Sequence, residues 1–76
     1  MITIRYFASL REQLGKDQEQ LDPVDSMTAL DAWNQANAAT APPDNILVAI
    51  NQSYARLDSP VHSGDEVAFF PPVTGG

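Results

Sequence analysis

The sequence predicts an α+β domain in which one mixed sheet packs on one main helix. Three observations carry this. The element order read from periodicity is strand, short helix, weak strand, helix, strand, short strand, strand, a mixture that suits one sheet with helical cover. The first and last strands show the clearest alternation of apolar and polar residues, so they are candidates for a parallel pair at the sheet centre. Between them, one segment is long enough and apolar enough on one side to act as the covering helix. The chain has 76 residues, which makes one domain. A domain this small buries only about 60% of the surface its unfolded chain exposes. Its core must be compact, and with no cysteine it has no disulfide to help.

The opening strand is Ile2 to Phe7. Ile2, Ile4 and Tyr6 take the core side, while Thr3, Arg5 and Phe7 take the other. A short helix follows through Leu10 and Leu14, spaced i and i+4. Ser9-Leu10-Arg11-Glu12 fits the capping-box pattern, and Gly15 stands where a helix stops. Asp17 to Leu21 is read as a weak strand anchored by Leu21. Pro23 and Asp25 mark a turn, and Ser26 is placed as the N-cap of the main helix, Met27 to about Ala39. Met27, Leu30, Trp33 and Asn37 lie near one face of it, padded by Ala29 and Ala36. Thr40 to Asp44 carries two prolines and ends the helix. Ile46 to Ile50 is apolar on both parities and reads as an interior strand. Asn51-Gln52-Ser53 turns the chain into a short strand, Tyr54 to Leu57. The last strand is Glu66 to Phe70, with Val67 and Phe69 inward and Phe70 outward, stopped by Pro71-Pro72.

Charge excludes several partners. Ten acids face four bases, for a formal net charge of −6. Nucleic acid binding needs Lys and Arg to displace counterions from phosphates, so no nucleic-acid partner is expected. An anionic membrane surface is disfavoured for the same reason. The apolar run Ile46 to Ile50 is far too short to span a bilayer. The alternating start has no apolar stretch of the signal-peptide kind, and the cytoplasm is the expected compartment.

No catalytic constellation stands out. Asp65-Glu66 is a carboxylate pair, but adjacent strand residues point to opposite faces. His62 beside Ser63 is poor geometry for a proton-transfer dyad. A lone histidine without cysteine builds no multi-ligand metal site, so no metal and no permanently bound cofactor is expected. Trp33 falls on the apolar stripe and reads as core. The informative feature is the end of the chain. Pro71 and Pro72 terminate pairing and hold an extended backbone. Val73, Thr74, Gly75 and Gly76 follow, a thin thread of at most ~14 Å ending in a carboxylate. The division is a body of residues 1–72 and a tail of 73–76. Phe7, Tyr54 and Phe70 are expected as aromatics on the outer sheet face, where they form a candidate partner interface.

The block Ser63-Gly64-Asp65-Glu66-Val67-Ala68-Phe69-Phe70-Pro71-Pro72-Val73-Thr74-Gly75-Gly76 closely resembles the end of the molybdopterin synthase small-subunit family. These are sulfur carriers with a ubiquitin-like β-grasp fold. Tyr6 to Gly15 is similar to that family's first strand and helix, and Val48 to Gln52 to its central strand and turn. The resemblance implies a non-catalytic carrier with no catalytic residue of its own. It implies further that an ATP-dependent, E1-like activating enzyme would adenylate Gly76, and that a persulfide donor protein would convert it to a thiocarboxylate. On the same resemblance, Val73 to Gly76 are expected to insert into the synthase large subunit, where sulfur would pass to cyclic pyranopterin monophosphate to build the molybdopterin dithiolene. ATP belongs to the activating enzyme. Sulfur carriers for thiamin thiazole synthesis or transfer-RNA thiolation, and ubiquitin-like protein modifiers, share the fold and the Gly-Gly end. They are the alternative readings.

Overall fold

The computed structural model describes residues 1–72, and the tail expected at Val73 to Gly76 lies outside the described residues. The elements are β1 (Ile2–Tyr6), α1 (Ala8–Leu14), β2 (Gln18–Leu21), α2 (Ala29–Ala36), β3 (Leu47–Ile50), β4 (Ser53–Ala55) and β5 (Glu66–Phe70). Among the described residues the strands form one sheet in the order β2-β1-β5-β3-β4. β5 lies at the centre, parallel to β1 and antiparallel to β3. The expected α+β class and the parallel pairing of first and last strands are both present.

The core lies on one face of this sheet. Ile2, Ile4 and Tyr6 of β1 meet Val67 and Phe69 of β5 and Val48 of β3, under Leu10, Ala29, Ala32 and Trp33 from the helices. Trp33, fully buried, packs edge-on to Tyr6 and Phe69 with ring centroids 5.9 and 5.1 Å apart, and Tyr6 stacks on Phe69 at 6.1 Å. Edge-to-face rings add to burial because ring edges are positive and faces negative. The polar atoms are matched: Trp33 Nε1 donates to the Thr40 carbonyl, and Asn37 Nδ2 donates to the Tyr6 hydroxyl at 2.8 Å. Burial pushes the Tyr6 phenol above its usual range. The hydrogen bond from Asn37 opposes this, and the nearby Glu19 carboxylate adds to it.

Local expectations fail where tertiary contacts decide. The main helix starts at Ala29, not Met27, and Ser26 is not its N-cap: Ser26 sits in the left-handed region at φ 61°. Thr28 caps instead, its side chain accepting from the Asp31 N–H while Asp31 accepts from the Thr28 N–H. The next donors, Ala29 and Leu30 N–H, reach the Ser59 and Leu57 carbonyls. A neighbouring loop thus fixes the first turn. The helix ends at Ala36 and not Ala39, because Asn37 turns its amide to Tyr6.

In the short helix the capping box at Ser9 does not form. Phe7 N–H still bonds the Phe69 carbonyl as the helix begins, so Ser9 already lies in its first turn. Gly15 ends that helix as expected, at φ 72° with its N–H on the Arg11 carbonyl. The fourth strand is Ser53–Ala55 and not Tyr54 to Leu57. Asn51 and Gln52, at φ 51° and 70°, form a two-residue turn that lets Ser53 pair with Ile50 at once. Ile46 precedes the third strand and packs against the core edge.

Candidate functional site

Alternation along the strands writes a second face, opposite the core. Register places Arg5 beside Ala68, Ala68 beside Ala49, and Ala49 beside Tyr54. The next row toward the end of β5 pairs Phe70 with Leu47. Both helices contribute their buried residues to the other side, so this outer face holds half-buried and exposed side chains. Tyr54 is 81% exposed, and its ring lies 6.0 Å from that of Phe70.

The three aromatics expected here divide into two groups. Tyr54 and Phe70 meet across β3. Phe7 stands where β1 passes into α1, and its ring lies under the Arg5 guanidinium at 5.2 Å. A guanidinium over a ring face is held there by the ring quadrupole. Arg5 also lies 3.9 Å from Glu66, a solvent-exposed pair that contributes little stability. Arg5 and Leu47 belong to this surface and were missed by sequence reasoning. Strand parity alone placed Arg5 on the side of Phe7, but register was needed to set Leu47 against Phe70.

Pro71 and Pro72, the last described residues, follow Phe70 directly and lie beside the start of α1. A groove of about 250 Å³ lies there, lined by Ser9, Leu10, Gln13, Pro43, Asn45, Ile46 and the two prolines. Its polar lining side chains, Ser9, Gln13 and Asn45, are neutral. Ala8, at the same corner, takes φ 55°. That conformation costs an L-residue roughly 1–2 kcal/mol, and strain of this kind gathers at functional junctions.

The carboxylate pair at Asp65-Glu66 is structural. Asp65 accepts from Asn51 Nδ2 at 2.9 Å and from the His62 N–H at 2.8 Å, and these bonds hold its carboxyl below the usual range. Asn51 in turn accepts from the Glu66 N–H. His62 is an exposed side chain 3.8 Å from Asp65. These groups brace the start of β5, at the opposite end of that strand from Pro71. Tyr54 and Phe70 share the outer face and Phe7 lies under Arg5 at the start of α1, while the expected modification site, Gly76, and its neighbours Val73, Thr74 and Gly75 lie outside the described residues.

Comparison with known proteins agrees with this architecture. A family model described as the ThiS family matches residues 4–76. The molybdopterin synthase sulfur carrier subunit of Haemophilus influenzae is 42% identical, with all of both chains covered. The protein of the same name from Escherichia coli is 40% identical, again over the whole of both. Among solved structures, SAMP1 (small archaeal modifier protein 1) of Haloferax volcanii superposes with a TM-score of 0.81 at 30% identity, covering 99% of this chain and 98% of that one. A family match over nearly the whole chain, joined by full-length relatives at this identity, establishes that the chain belongs to the ThiS family.

Proposed function

We propose that the chain is the sulfur carrier subunit of a molybdopterin synthase. The observation that carries this is the 42% identity, end to end, with a protein of that name. The body offers exposed aromatics, Tyr54 and Phe7, on its surface, and Pro71-Pro72 follow its last strand. That arrangement suits a carrier whose reacting atom travels on its tail while a partner supplies the chemistry. The outer face with Phe70, Tyr54, Phe7, Leu47 and Arg5 docks on the large subunit. The catalytic site lies on that subunit.

A carboxylate is a poor electrophile, so Gly76 must first be activated. An ATP-dependent activating enzyme joins it to AMP and releases pyrophosphate. The terminal sulfur of a persulfide donor attacks the acyl carbon, AMP leaves, and an acyl disulfide forms. A thiol then cleaves that disulfide and frees the thiocarboxylate. In the synthase this sulfur passes to cyclic pyranopterin monophosphate, and two such transfers complete the dithiolene. The work is placed in the cytoplasm, where ATP is available.

Intact mass spectrometry tests this reading. The chain is incubated with ATP, the activating enzyme and a persulfide donor, then fragmented. The expected product has one oxygen replaced by sulfur, located at Gly76. An unchanged chain, or a change placed on another residue, contradicts it. The likeness to a small archaeal modifier protein favours a second reading, in which Gly76 is joined to lysines of other proteins. Isopeptide-linked products without any thiocarboxylate would select it.

A further inference from the structure

The chain has a single lysine, Lys16, in the turn between α1 and β2. Its ammonium is engaged on three sides. It donates to the Ala36 carbonyl at 3.2 Å, pairs with the Glu19 carboxylate, and lies 5.6 Å from the centre of the Tyr6 ring. Ala36 is the last residue of α2, so its carbonyl is one of the acceptors a helix leaves unpaired, at the negative end of the helix dipole. The other partners are themselves held. The Tyr6 hydroxyl donates to Glu19 at 2.9 Å and accepts from Asn37, and Tyr6 and Asn37 are both buried. Lys16 therefore closes a network that joins β1, β2 and the end of α2. Two-thirds of its side chain is covered, at 32% exposure.

An acyl adenylate is a mixed anhydride, and amines attack it. The nitrogen forms a C–N bond, AMP departs with the electron pair of the broken C–O bond, and the amine proton passes to water. Attack requires the nitrogen within about 3–3.5 Å of the acyl carbon on an open line. Here Nζ reaches such a position only by leaving Ala36, Glu19 and the Tyr6 ring together. Hydrogen bonds to charged groups are the stronger ones in proteins, so this departure is uphill.

We propose that this network sets acceptor specificity by withdrawing the chain's only lysine amine from acylation. An activated Gly76 is then not captured by Lys16 of a second copy. Its acyl group passes to sulfur, or to an amine of a different protein. The inference rests on the reading that Gly76 is activated, but shielding of Lys16 is measurable without activation.

The first measurement is the acetylation rate of Lys16 by a water-soluble acetyl ester, followed by peptide mass spectrometry. The folded chain is compared with the same chain in denaturant, using a free lysine peptide to correct for solvent. Lys16 is expected to react at least about tenfold more slowly in the fold, as loss of a charged hydrogen bond implies. Glu19→Gln is expected to recover much of that rate with an unchanged circular dichroism spectrum. Equal rates in folded and denatured chain overturn the proposal.

The second measurement supplies ATP and the activating enzyme but no sulfur donor. Pyrophosphate release reports activation, and fragment spectra report any Gly76–Lys16 isopeptide. None is expected in the natural chain, whereas Glu19→Gln is expected to form it. An isopeptide on Lys16 of the natural chain overturns the proposal. Absence of pyrophosphate release contradicts the reading of Gly76 instead, and the acetylation rates still judge the shielding.

Discussion

Phe69 and Phe70 are adjacent in β5 and face opposite sides of the sheet. Phe69 is fully buried against Tyr6 and Trp33. Phe70 shares the outer face with Leu47 and Tyr54, and no helix contributes a buried residue there. The same backbone thus carries the core on one side and, on the other, the face proposed above for docking. The difference teaches that apolar content in this chain has two separate causes. Removing a core aromatic attacks folding. Removing an outer one is expected to leave the fold and, on the proposed function, to attack recognition.

The largest expected effect breaks that comparison directly. Phe69→Asp places an unpaired charge in the core. Deleting a buried Phe side chain alone costs about 3–5 kcal/mol, close to the whole stability of a domain this small. The variant is expected to be unfolded by circular dichroism. Phe70→Asp is expected to change stability by less than about 1 kcal/mol while weakening large-subunit binding by about 2 kcal/mol or more, the scale of an aromatic hot spot. Titration calorimetry measures the second effect. A folded Phe69→Asp together with a collapsed Phe70→Asp would invert the assignment of faces.

A pH titration sharpens the core side. The Tyr6 phenol is raised in the fold, so the folded chain keeps its proton where the unfolded chain has lost it. This contribution to stability is complete below about pH 10, the ordinary tyrosine range, and declines as pH rises above it. Denaturant unfolding at several alkaline pH values is expected to show that decline. Tyr6→Phe is expected to flatten it, although the variant starts less stable because Asn37 and Glu19 lose a partner.

The smallest effect lies at the corner where the two faces meet. Ala8 is exposed and held at φ 55°. Ala8→Gly relieves the steric cost of that conformation and is expected to stabilise the chain by about 1 kcal/mol, or roughly 4–8 °C in melting temperature for this size. Partner affinity is expected to stay the same, since no docking side chain changes. A lower melting temperature would show that the corner is not strained.

How much of this was legible before the fold was known differs by element. β5 was legible in full: Glu66 sets the outward parity, a turn precedes it and two prolines follow, so Val67, Phe69 and Phe70 took their correct faces. The Asn51-Gln52 turn was legible in place but not in geometry. Its left-handed residues pulled Ser53 into β4 and left Arg56 and Leu57 outside. The start of α2 was not legible, because Ser26 resembles a cap as well as Thr28 does. The Leu57 and Ser59 carbonyls that decide between them come from a distant loop. The outer surface was half legible. Parity aimed Phe7 and Phe70 outward, but only register set Leu47 against Phe70 and Arg5 beside Ala68. The engagement of Lys16 by Ala36 and Tyr6 left no local signal at all, since those partners are tertiary.

The central claim is that the body docks while the tail reacts, and one chain tests it most directly. A variant lacking Gly76 keeps the whole described body, so its melting temperature and its affinity for the large subunit are expected to match the natural chain closely. Its dithiolene formation is expected to be lost. The reacting carbonyl is displaced by one residue, about 3.3–3.6 Å of chain, whereas misplacement by about 1 Å already costs ~100-fold in rate. Unchanged affinity with no sulfur transfer is the predicted result. Full transfer by the chain without Gly76 would contradict the carrier mechanism and leave a binding role alone.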